Sequence, residues 1–160
     1  MSERKLKNLK KEYENLKEKY GLPSFDELNK NFEIEKLQDR ERNYLLRDIR
    51  RTLVEKDISY FKFLEMFLNP GSGPMFFMAL TNNLNAEEKN KIEDIYFKLG
   101  KFELDSVSLD NDSTEKEEAE FIKSFFEEWK NLKSDFGELM ESIEEVWERE
   151  VEKGDKGYLG

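Results

Sequence analysis

From Ile122 to Val146 the residues Ile122, Phe125, Trp129, Leu132, Phe136, Leu139, Ile143 and Val146 recur at alternating steps of three and four, with no slip of phase. Only a helix places such a series on one face, so the pattern predicts a single helix over residues 114–152. Phe126, Met140 and Trp147 widen the stripe, which suits a helix packed on a globular core better than a two-stranded coiled coil. Length is the constraint. At about 1.5 Å per residue this helix measures ~58 Å, whereas a globule of this chain length is ~40 Å across. Leu139, Ile143, Val146 and Trp147 therefore need a cover. Either the helix breaks at Ser134–Gly137 and folds back, or the narrow stripe of Leu6, Leu9, Tyr13, Leu16 and Tyr20 lies over it. That stripe would come from the same chain or from a second chain in a homodimer. Unbroken phase across Leu132 and Phe136 favours the continuous helix.

The N-terminal stripe predicts a first helix from Ser2 to Tyr20, ended by Gly21 as a C-cap. Ser24 and Glu27 have capping-box spacing and open a short helix around Phe25, Leu28 and Phe32. Phe32 to Leu37 reads as a connector, since its brief alternation has no partner strand in the chain. A long helix follows from about Asp39 to Leu68, amphipathic through Leu46, Ile49 and Leu53 and apolar nearly all round after Ile58. Asn69-Pro70-Gly71-Ser72-Gly73-Pro74 interrupts it. Met75 to Leu80 then makes a short buried helix, and Asn85 with Glu88 caps another that runs through Ile92, Ile95, Leu99 and Phe102, weakened by Gly100. Asp110 to Ser113 is a polar turn. The expected fold is all-α, a five- or six-helix bundle, mostly antiparallel, with a long C-terminal helix. Residues 1–153 read as a single helical domain and 154–160 as a flexible tail.

The chain has no cysteine and no histidine, which removes disulfides, thiol nucleophiles, imidazole acid–base chemistry and the usual zinc ligands. Any enzyme built on it would use carboxylates, lysines or hydroxyls. No catalytic residue and no cofactor is implied. Its aromatic content of 13% separates it from disordered chains of similar charge. The start of the chain is lysine-rich with no apolar run behind it, and no stretch approaches the ~20 apolar residues of a membrane span, so a cytoplasmic protein without membrane contact is expected. The net charge of −10 is unevenly placed: residues 1–60 carry 15 basic and 13 acidic groups, residues 103–160 carry 7 and 19. That balance argues against general nucleic-acid binding, because the field of the whole protein repels phosphates.

The order Leu22-Pro23-Ser24-Phe25-Asp26-Glu27-Leu28, followed by the arginine-rich helix, resembles conserved all-helical archaeal proteins of unknown function. The resemblance implies an all-helical fold and carries over no functional residue.

Three groups of residues are candidates for a site. Arg40, Arg47 and Arg51 fall within ~40° of one another on a helical wheel, opposite Leu46, Ile49 and Leu53, with Lys36 and Arg50 flanking them. Arginine's planar fork suits carboxylates and phosphates, so the stripe could dock an acidic partner or nucleic acid. The simpler account is a solvated face, or pairing with acids of the same fold such as Asp48 or the C-terminal helix. Glu-x-x-Glu spacing, which in helical nucleotide hydrolases holds magnesium, occurs in Glu141 with Glu144, Glu145 with Glu148, and Glu115 with Glu118. Only Glu115 and Glu118 lie along the apolar seam, and acids in a first helical turn are favoured by the helix dipole in any case. Met75, Phe76, Phe77 and Met78 could form a pliable groove for a partner helix, or simply fill core.

The function expected is non-enzymatic, a protein–protein interaction or scaffold role with a protein partner or a second copy of itself. Leu6, Leu9, Leu16, Ile143 and Val146 are the residues expected at a dimer contact. A carboxylate-metal (Mg/Mn) nucleotide hydrolase through Glu115 and Glu118, and a nucleic-acid-associated factor through the arginine stripe, are the alternatives.

Overall fold

The computed structural model describes residues 2–158, with side chains through Lys153. Six α-helices follow one another: α1 (Ser2–Tyr20), α2 (Phe25–Phe32), α3 (Leu45–Leu68), α4 (Met75–Asn82), α5 (Ala86–Asn111) and α6 (Glu115–Tyr158). Tight 3-10 turns occupy Ile34–Asp39 and Pro70–Ser72, and no strand occurs among the described residues. The fold is an all-helical bundle with a long C-terminal helix.

Local chemistry explains most helix ends. Gly21 adopts φ 66, the left-handed conformation that glycine tolerates best, and its amide and that of Leu22 donate back to the Lys17 carbonyl. Ser24 and Glu27 cap α2 reciprocally, side chain to backbone in both directions. Asn85 and Glu88 do the same for α5, and Thr114 and Glu117 for α6. Each pair satisfies amides that a helix start leaves without an intrahelical acceptor.

Two expectations are corrected, the start of the third helix and the burial of α4, and two others are made more definite. The long third helix begins at Leu45, not near Asp39. The backbone at Arg40 is extended and its amide closes the 3-10 turn on the Leu37 carbonyl, to which the Arg42 guanidinium also donates. The connector after Phe32 is a 3-10 turn, entered through Glu33 at φ 54. Helix α5 runs past Gly100 to Asn111. A β-carbon at Gly100 would lie 3.1 Å from the Phe61 ring, so glycine there admits the stacked Phe61–Tyr96 pair, whose centroids are 4.3 Å apart. Finally, α4 is not wholly buried: Phe77 and Leu80 face inward, whereas Met75, Phe76 and Met78 are exposed. A helix of eight residues offers one face to a core, and Phe63 and Phe67 already fill the space beside Phe77.

Helix α6 crosses Ser134–Gly137 without a break and extends to Tyr158, so it includes most of the segment expected as a tail; residues 159 and 160 lie outside the described residues. At about 1.5 Å per residue it is ~66 Å long.

The chain packs as two compact units. The first contains the chain up to Ile58 together with Phe102–Trp129. Leu9 and Tyr13 of α1 are buried there, with α1 lying against α2 and the Ile34–Asp39 turn, and the Tyr13 hydroxyl donates to the Pro23 carbonyl. Phe32, Phe125 and Trp129 form its aromatic centre, with Phe102 and Phe121 packed on Phe125. The second unit contains Ser59–Lys101 together with the chain from Lys130. Leu64, Phe67, Phe77, Ile92, Ile95, Leu139, Ile143 and Val146 are its core, and Tyr60 stacks on Phe136 at 4.3 Å. Helices α3, α5 and α6 contribute residues to both. Within the first unit α3 and α5 run antiparallel, Arg50 meeting Asp110 and Asp57 facing Glu103.

Candidate functional site

Arg50 belongs to the first unit and its side chain is fully buried. On the wheel of α3 it lies about 40° from Leu46, on the inward face between the buried Leu46 and Val54, so the helix drives a cation into the core. Such a charge is tolerable only if fully bonded. The guanidinium Nε donates to Glu118 Oε2, Nη2 to Glu118 Oε1 at 3.2 Å and to Asp110 Oδ1 at 2.6 Å, and Nη1 to the Ser106 carbonyl at 3.1 Å and to its hydroxyl. Burial by itself would lower the Arg50 pKa, but the bonds to Glu118 and Asp110 outweigh it and hold the pKa above the ordinary arginine value.

This node accounts for two of the sequence candidates. Arg47 Nε lies 3.7 Å from Glu118, and Arg51 Nε donates to Asp110 at 3.2 Å, so both pair with acids of their own chain. Arg40 is exposed and outside α3, in extended backbone after the 3-10 turn, so it does not share a helix face with the other two. Among the carboxylates, Glu118 is buried and also accepts from the Ser113 hydroxyl at 2.7 Å, while Glu115 accepts from the Tyr20 hydroxyl at 2.7 Å on the surface. A metal at Glu118 would have to displace a buried guanidinium. Among the described residues no group of three acids converges where a cation could be held. A cleft of about 220 Å³ opens beside the node between Tyr44, Arg47, Thr114 and Glu115, below the ~300–1,000 Å³ of sites that enclose drug-sized ligands.

The residues expected at a dimer contact lie inside their own units. Leu9 is buried and Leu6 and Leu16 are half-buried in the first; Ile143 and Val146 are buried in the second. Of the stripe at the end of α6, Leu139, Ile143 and Val146 are buried by their own chain, whereas Trp147 is not.

The second unit carries a different surface. Met75 is 86% exposed, Phe76 46%, Met78 45% and Trp147 48%, and Phe76 meets Trp147 edge-on with ring centroids 5.9 Å apart. That contact joins the outward face of α4 to the outward face of α6 in one apolar patch. Of the Met75 to Met78 tetrad, only Phe77 packs inside.

One further group escaped the sequence reading. Asp57 is fully buried on the same face of α3 as Arg50, and neither of its oxygens has a hydrogen-bond partner among the described residues. Burial, with Glu103 adding repulsion, pushes its pKa up to about 8. The signal for both residues was legible: Leu46, Arg50, Leu53, Asp57 and Leu64 share one helical phase, and a charge in apolar phase must be paired or neutralised.

The fold and these surfaces define an all-helical protein with a buried ionic node and an exposed aromatic–methionine patch, in which no described helix is long and apolar enough to cross a membrane. No family model, curated protein or solved structure matches the chain.

Proposed function

We propose that the chain is a non-enzymatic protein-interaction or scaffold protein and that it binds a protein partner through the apolar patch of its second unit. What supports this is the exposure of Met75, Phe76 and Trp147 side by side. Side-by-side exposure of large apolar side chains is common at protein-interaction sites, where aromatic and methionine residues supply the contact area. The chemistry of the competing carboxylate-metal hydrolase is weakened at its first pair, since Glu118 is already bonded to Arg50 and Ser113.

Cross-linking in native extract, followed by capture of the wild-type chain and of Met75→Ser/Phe76→Ser, tests the interaction. A defined partner should be retained by the wild type and lost from the variant; equal recovery by both would remove the patch from the function. For the hydrolase, magnesium or manganese should raise Tm by mass action if a carboxylate site binds it, and turnover should appear in a nucleotide panel. We expect neither, and a metal-dependent rise abolished by Glu115→Gln would reverse the assignment.

A further inference from the structure

The charge around the patch selects its partner. From Asn69 to Asn85 the chain has no charged residue, so the α4 side is neutral. The α6 side is not: between Glu138 and Lys153 there are seven carboxylates and two cations. Glu144 and Glu148 are exposed beside Trp147, and Val151, one turn further on, is 43% exposed. The result is an apolar platform of methionine and aromatic side chains with a negative rim along one edge.

Resting on the interaction reading above, we infer that this platform docks a basic amphipathic helix, its apolar face on Phe76, Trp147 and the two methionines and its lysines or arginines over Glu144 and Glu148. Methionine side chains are unbranched and polarisable, so they adapt to an incoming helical face, and the aromatic pair supplies the anchoring area. Carboxylates at the rim contribute attraction and orientation to a cationic partner. The same charges oppose the other two occupants. A second copy docked face to face would offer this carboxylate-rich edge either its own carboxylates or the neutral α4 side, neither of them cationic, and an anionic lipid surface would be repelled by it.

The test uses fluorescent synthetic peptides of about 18 residues in fluorescence polarisation with the full chain. One is a lysine/leucine/tryptophan amphipathic helix. The second keeps its apolar residues and replaces each lysine by glutamate; the third is the basic composition scrambled out of helical phase. The basic amphipathic peptide should bind at least about tenfold tighter than either control. Phe76→Ser and Trp147→Ser should each weaken it about tenfold or more, and Met75→Ser, at a side chain too exposed to affect folding, should weaken it severalfold. Glu144→Gln/Glu148→Gln should flatten its salt dependence between about 50 and about 300 mM. Equal binding of the acidic or the scrambled peptide, or binding indifferent to Phe76 and Trp147, would overturn the inference. So would a dimer seen by light scattering and dissociated by Met75→Asp, which identifies a second copy as the occupant. In these cases capture of a native partner lost on Met75→Ser/Phe76→Ser would still uphold the broader interaction reading; loss of both results would end both.

Discussion

Replacing Glu118 by alanine is expected to lower the unfolding free energy by about 3–5 kcal/mol, the range found when one member of a buried ion pair is removed. The reason is what remains: the Arg50 guanidinium stays in the core with its Nε unbonded and only the Ser106 and Asp110 contacts left. The cost is that of an uncompensated buried charge, so removing both charges should not add the two losses. Arg50→Met/Glu118→Leu keeps the volume and is expected to recover most of the stability, as apolar replacements of buried pairs often do. Urea unfolding at neutral pH measures all three chains. A Glu118→Ala loss under about 1 kcal/mol would mean that water reaches the node and screens it. Asp110, exposed on one side, is the weaker partner. Burial raises its pKa, but the bonds from Arg50 and Arg51 overturn that and hold it low, so its contribution is present at neutral pH and fades as acid protonates it.

Asp57→Asn is expected to stabilise the protein, and more so as the pH rises. In the folded chain Asp57 has a pKa of about 8, against 3.8 as its ordinary value. Between these values the folded state keeps a proton that the unfolded state has released, so stability falls with rising pH by about 1.4 kcal/mol per pH unit from this group alone. Asparagine has the shape of the protonated acid and does not ionise. Wild type and variant should therefore be nearly equal near pH 4 and differ by on the order of 3–5 kcal/mol at pH 8, with the variant the more stable. Denaturant titrations at several pH values give the difference directly. A pH-independent difference would show that Asp57 finds a partner or water in solution and ionises normally.

These two residues mark how far the sequence could be read. The helices were legible because their signals are local: Gly21 after a 3,4,3,4 stripe, Ser24 with Glu27, Asn85 with Glu88, and the phase of α6 through Gly137. The start of α3 was not, because the extended backbone at Arg40 that separates the 3-10 turn from the helix is marked by no glycine, proline or capping pair. Of the candidate residues, Arg47 and Arg51 were read as outward, and the fold sets α5 and α6 beside them as the source of Asp110 and Glu118. Arg50, at the flank of that stripe by its spacing, is instead buried on the inward face of α3.

What the sequence determined by itself is the inventory: helical periods, caps, breakers, the absence of thiol and imidazole, and the placement of acid in the C-terminal part. Each follows from residues within a turn or two of one another, where backbone geometry alone sets what can face what. Tertiary structure alone decided which apolar groups stay outside and which charges go in. The Met75 to Met78 tetrad is equally apolar on every side, and only the packing of Phe63 and Phe67 against Phe77 leaves Met75, Phe76 and Met78 in water. Arg50 and Asp57 share a phase and a helix, yet one meets Glu118 and Asp110 and the other meets Glu103, because the partners come from distant helices. A charge in the core is stabilised or neutralised by what faces it, and what faces it is a property of the fold.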